Sequence, residues 1–200
     1  MLQLPWSSSC SPLPGSSGMW SIDCSRPARA RSAPPCQSQV RRCPANSPEP
    51  VVPISWLIGK WVGVGLGTYP TIEDFRFGQE VTFTNDGRPF LIYTSKSWIL
   101  DDEGNRVRPA ATESGFWRPQ PDNQLEVLLV HSTGHLETYL GTNEVTSIAD
   151  ATITGARCEL KTDVVVRSNN AKEYDGGVRL YGLIEGDLGW AYDMAAVGNH

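Results

Sequence analysis

Three histidines, His131, His135 and His200, are the only imidazoles in this 200-residue chain, so histidine ligation of a metal must draw on them. His131 and His135 flank Ser132-Thr133-Gly134, at the two ends of a tight hairpin turn, where they could converge on one ion. A zinc site would need a third nitrogen, sulfur or carboxylate ligand, and none is signalled nearby, so flanking the turn is the simpler role. Cys10, Cys24, Cys36 and Cys43 are separated by 13, 11 and 6 residues, which makes no C-x₂-C pair and argues against a zinc or disulfide framework. Arg179 and Tyr181 share one face of a strand, a cation and a phenol that together can clamp a carboxylate. Asp101-Asp102-Glu103 reads as a solvated loop. No nucleophile elbow and no Cys–His pairing stands out.

The strongest local pattern is Gly59-Lys60-Trp61-Val62-Gly63-Val64-Gly65-Leu66-Gly67-Thr68-Tyr69-Pro70. Glycine recurs with a period of two, which is a strand period. Alternate side chains are deleted along one face, so something bulky can approach closely, and Trp61 is that face's large member. A phosphate loop would need a helix behind the glycines, and no helical pattern follows.

These residues must be positioned by the chain around them, which divides near residue 50. Residues 1–50 hold nine of the fifteen prolines, eleven serines and four of the five cysteines. No apolar period persists there, so this Ser/Pro/Arg-rich extension is expected to be disordered, with a β-barrel domain over 51–200. Its five arginines against two acids contribute +3 to a net charge of −5, leaving −8 on the remainder. An acidic domain without a basic stripe argues against nucleic-acid binding. Neither a secretory h-region nor a stretch of about 20 apolar residues occurs, so a cytoplasmic protein without a membrane partner is expected.

From residue 51 onward, apolar and polar residues alternate between turns rich in Gly, Asn and Asp. Ten strands are expected: the glycine run, then 75–84, 89–98, 113–118, 125–131, 135–141, 145–154, 157–167, 177–183 and 188–197. Residues 54–58 allow a single helical turn. A meander of hairpins without long crossovers predicts an all-β, ten-stranded antiparallel up-and-down barrel of the lipocalin or fatty-acid-carrier kind. Barrels of this size can hold one small ligand. Arg179-x-Tyr181 matches the carboxylate clamp of intracellular fatty-acid carriers, which makes a non-catalytic carrier of an apolar or fatty ligand the alternative reading.

The pieces together resemble the nitrobindin family. The carrying residues are the motif Gly59-x-Trp61-x-Gly63-x-Gly65-x-Gly67-x-Tyr69-Pro70-Thr71-Ile72, Phe75-x-Phe77-x-x-Glu80, Gly87-x-Pro89, Glu113-Ser114-Gly115-Phe116, Ser132-Thr133-Gly134, Ala171-Lys172 and Met194-Ala195-Ala196-Val197-Gly198. The resemblance spans about residues 53–200. It implies a barrel holding one ferric haem b, with nitric oxide and peroxynitrite as small-molecule partners and isomerisation of peroxynitrite to nitrate as the activity. A homodimer is also allowed. Carried over residue by residue, Thr71 and Lys172 fall near the haem or its propionates, Met194 lines the pocket, and His131 faces it from the hairpin.

Two departures accompany the resemblance. Ala110-Ala111 stand where some relatives have a Met-His pair. The family's proximal histidine would fall at position 204, beyond His200, and the last half-strand of the barrel is expected to be missing. His200 is the nearest candidate iron ligand, about 13 Å of strand rise short of that position.

Overall fold

A computed structural model describes residues 19–23, 47–69 and 72–195, with the side chains of 47–68 and 73–194. The expected Thr71 and His200 sites lie outside the described residues. Ten strands form one closed antiparallel barrel: β1 Met19–Asp23, β2 Gly59–Tyr69, β3 Ile72–Thr84, β4 Leu91–Leu100, β5 Arg106–Pro119, β6 Gln124–His131, β7 His135–Ala149, β8 Thr152–Arg167, β9 Gly176–Ile184 and β10 Asp187–Ala195. From β2 to β10 each strand pairs with the next in sequence, and β1 pairs with both β2 and β10.

The sequence reading puts ten strands within 59–197, whereas nine occur there and the tenth lies elsewhere. The stretch 145–154, expected as a separate strand, is split between the end of β7 and the start of β8, which turn at Asp150 and Ala151 with φ of 48° and 59°. The tenth strand is β1, five residues inside the segment expected to be disordered. Propensity alone misses it, because a five-residue strand gains its stability from two flanking edges rather than from its own pattern.

Period-two alternation sets the inner face. Along β4, Leu91, Tyr93, Ser95 and Ser97 are buried, while Thr94 and Lys96 are exposed. The turns carry their own chemistry. Asn85 accepts from the Gly87 amide at 3.0 Å and donates to the Phe90 carbonyl at 2.8 Å, closing the β3–β4 connection. Asp122 and Asn123, with φ of 58° and 57°, make the tight β5–β6 reversal.

One end of the barrel is plugged. A 3₁₀ helix, Glu49–Leu57, buries Val51, Ile54, Trp56 and Leu57 against the core, extending the single turn expected at 54–58. Asn143 on β7 pins it, accepting from Trp56 Nε1 at 3.0 Å and donating to the Pro53 carbonyl at 2.9 Å. Trp61 donates from Nε1 to the Leu57 carbonyl at 2.8 Å, joining the first residues of the glycine strand to the plug. Above the plug lies an aromatic layer: Trp117 meets Phe83 and Tyr181 edge-on, with ring centroids 5.1 and 5.0 Å apart.

Candidate functional site

With the 3₁₀ helix filling one end, the other end remains for a ligand. There the inward-facing side chains pass from buried to half-buried. On β3 the change is from Phe77 to Phe75, on β4 from Ser97 to Ile99, and on β10 from Tyr192 to Met194. Ala111, also half-buried, joins them on β5. The rim is therefore mainly apolar, and its small Ala111 follows from the Ala110-Ala111 departure. The glycine face of β2 runs up to this end. Gly65 and Gly67 pair with Phe77 and Phe75, and the Phe75 ring lies where a Cβ on Gly67 would stand, 2.4 Å from its nearest atom. The missing side chains thus admit an aromatic wall.

One layer below the rim lies a polar network that the sequence did not announce. Arg179 on β9 is 1% exposed and grips Glu113 on β5 with two bonds, Nη1 to Oε2 and Nη2 to Oε1, each 2.9 Å. Tyr93 donates to the same carboxylate at 3.0 Å. The Arg179 Nε donates to Tyr139 Oη at 3.0 Å, and its guanidinium lies 4.2 Å from the centre of the Tyr192 ring. Glu137 on β7 accepts from Tyr139 and Tyr174 at 2.7 Å each and from Thr162 at 3.1 Å. Tyr174 also meets Tyr192 hydroxyl to hydroxyl.

His131 sits between the two carboxylates, with Nδ1 3.3 Å from Glu113 Oε1 and Nε2 2.7 Å from Glu137 Oε2. The Nε2 contact is ionic rather than an aligned hydrogen bond. Burial disfavours charge on the ring, but Glu113 and Glu137 outweigh it and hold its pKa up at about 9. Burial likewise opposes the Glu113 charge, while Arg179 and His131 hold that carboxyl well below its ordinary range. Glu137 is lowered too: burial works against it, and His131 and Arg179 prevail. Near neutral pH the set contains two anions and two cations, so it carries no net charge. Tyr139 and Tyr174 are pushed up by burial and remain phenols.

His135 serves differently. Its Nε2 is 2.9 Å from the Lys172 carbonyl, which can only accept, so Nε2 carries the proton and Nδ1 accepts from Thr133 Oγ1 at 3.0 Å. The Tyr174 ring stands edge-on to the imidazole, 5.4 Å between centroids. Together these contacts hold the β8–β9 connection, which presents the exposed Lys172 at the open end.

The expected residues are therefore only partly brought together. Met194 is at the rim, Lys172 is on a connection at the same end, and His131 faces inward one layer down. Gly59, Trp61, Gly63 and Gly65 lie along the wall-forming strand. His131 and His135 do not converge on an ion: one is held by carboxylates, the other by a carbonyl and a hydroxyl. No group of three or more His, Cys, Asp or Glu side chains suited to a metal occurs among the described residues. Arg179 points to the protein's own Glu113, so the pair read as a fatty-carboxylate clamp is engaged internally. Glu137, Tyr139, Tyr174 and Tyr192 were missed. The available signal was the alternation His135, Glu137, Tyr139, which places a carboxylate among inward-facing residues.

A closed antiparallel barrel, plugged at one end and rimmed by half-buried apolar side chains at the other, defines a small-ligand-binding barrel. Residues 50–200 match the THAP4-like, haem-binding β-barrel domain, and the chain belongs to that family. Its relatives bear out the resemblance to nitrobindins. A protein of Nocardioides sp. named peroxynitrite isomerase is 53% identical over 146 residues, covering 73% of this chain and 83% of its own length. A ferric nitrobindin-like protein of Kineococcus radiotolerans is 43% identical over 169 residues, covering 77% and 88%. The crystal structure of Rv2717c from M. tuberculosis superposes with a TM-score of 0.68 at 33% identity, over 77% of this chain and 91% of that one.

The residues at the open end fit the flat, apolar part of a haem. Phe75, Ile99, Ala111 and Met194 offer a nonpolar rim, and Lys172 offers a cation for a carboxylate substituent. They do not supply the iron's axial nitrogen, because both ring nitrogens of His131 and of His135 are engaged. No described helix is long and apolar enough to cross a membrane.

Proposed function

We propose that the open end binds a ferric haem b, that the protein takes up nitric oxide there, and that it isomerises peroxynitrite to nitrate. The observation that carries this reading is the half-buried apolar rim beside the glycine strand, in a chain more than half identical over 146 residues to a protein named for that reaction. When bound, a ferric haem supplies the Lewis acid that accepts the peroxynitrite anion and assists its O–O cleavage.

The protein's own part is burial, shape and charge. The rim side chains exclude water from the face they cover, which strengthens every electrostatic contact made there. Lys172 pairs with a propionate at the mouth and draws anions toward it. The Glu113–Arg179–His131–Glu137 set, neutral as a whole, keeps a net charge out of the layer beneath. Thr71, which follows Tyr69-Pro70 in sequence, is assigned to the same haem edge as Lys172 in this reading. His200, four positions before the place where the family's ligand would fall, is the candidate axial ligand in this reading. A cytoplasmic location is part of this reading, and the buried, free Cys158 of the barrel supports it.

Hemin titration tests the reading. A sharp Soret band saturating at one equivalent is expected, with nitrate as the product when peroxynitrite is added. A broad, unsaturated absorbance would overturn it. The His200→Ala variant should shift that band, and an unmoved band excludes His200 as the ligand. Lys172→Ala should weaken hemin uptake severalfold without changing the band position.

A further inference from the structure

The nine strands β2 to β10 alternate in direction without a crossover, so β2 and β10 run the same way. An odd number of such strands cannot close with antiparallel pairing throughout, because the first and last would meet as a parallel pair. One further strand, antiparallel to both, removes that conflict. β1 is that strand. Met19–Asp23 pairs with Thr68–Val64 on one side, and Met19–Ile22 pairs with Asp193–Trp190 on the other.

The location matters for the site. β1 covers the upper half of the glycine strand, with Trp20 in register with Gly67 and Ile22 with Gly65. On β10 it covers Tyr192, whose ring stacks on Arg179. The segment lies ahead of the region shared with the family, which begins at residue 50. We propose that the seam between β2 and β10 is a strand-acceptor site whose occupant is this chain's own Met19–Asp23, so that the working barrel includes residues from the N-terminal extension. Recognition is by backbone hydrogen bonds to two facing edges, as in strand addition to an open sheet, with direction dictated by the parity of the meander.

Amide hydrogen exchange on the full chain without hemin tests this independently of any haem chemistry. In the wild type, the amides of Trp20 to Ile22 should be protected, together with those of Val64–Thr68 and Trp190–Asp193 that point toward β1. Ser21 faces Leu66 and Ala191, so Ser21→Pro removes an N–H from a strand flanked on both sides. It should speed exchange at the two edges by roughly tenfold or more while β4–β8 stay protected. Solvent-rate exchange at Trp20 to Ile22 in the wild type would overturn the proposal, as would unchanged edges in a folded Ser21→Pro. Where Ser21→Pro does not fold, the wild-type protection decides.

Discussion

Arg179 and Glu113 face each other across the barrel interior, joined by two parallel N–H···O bonds of 2.9 Å between residues 66 positions apart in sequence. A buried guanidinium is costly unless its donors are met, and here a fork-to-fork carboxylate meets two of them while Tyr139 takes a third. The pair binds β9 to β5 through the barrel interior. Its role is to hold the floor beneath the open end.

Removing one partner should therefore cost more than removing both. Glu113→Gln leaves Arg179 buried without its counter-charge and should destabilise the fold by about 3–5 kcal/mol. Adding Arg179→Met should recover part of that loss. Urea unfolding of the two single variants and the double gives the coupling energy, and additive losses would show that the pair does not interact.

The His131 shift makes stability depend on pH. Its folded pKa of about 9 lies above the ordinary value of 6.5, so its contribution is complete below about 6.5 and is lost as pH rises through 9. That contribution is at most about 3 kcal/mol. Glu113 and Glu137 are lowered, so theirs is present above the usual carboxylate range and is lost as acid protonates them. Maximum stability should lie near pH 5–6.5. Denaturation midpoints measured from pH 4 to 9.5 should trace this dome, and His131→Gln should flatten the decline between pH 6.5 and 9.

Close approach at Gly115 should tolerate no side chain. A Cβ there would stand 1.8 Å from the Leu128 carbonyl oxygen, which is backbone and cannot swing aside. Gly115→Ala should cost about 3 kcal/mol or prevent folding. By contrast, a Cβ at Gly182 meets its nearest atoms at 3.9 Å, and Gly182→Ala should stay within about 0.5 kcal/mol of wild type. Equal melting temperatures for the two variants would contradict the packing at Gly115.

One amide on β7 makes two hydrogen bonds to the plug. Asn143→Ala leaves Trp56 Nε1 and the Pro53 carbonyl without their partners in a buried setting, a loss of about 2 kcal/mol. Faster proteolysis within residues 49–57 should accompany it, measured against wild type at the same temperature.

Local pattern carried much of this protein. Period-two alternation and turn residues located the glycine strand and most of the hairpins. The ordered motifs also pointed to the family. These features are legible because each depends on neighbours within a few residues. Register and closure decided the rest. No local signal pairs Arg179 with Glu113 or sets His131 between Glu113 and Glu137, because those contacts exist only once β5, β6, β7 and β9 share an interior. Nor does a five-residue run such as Met19–Asp23 declare itself a strand. The antiparallel closure of nine alternating strands demands a tenth, and only the folded barrel has the two open edges that receive it.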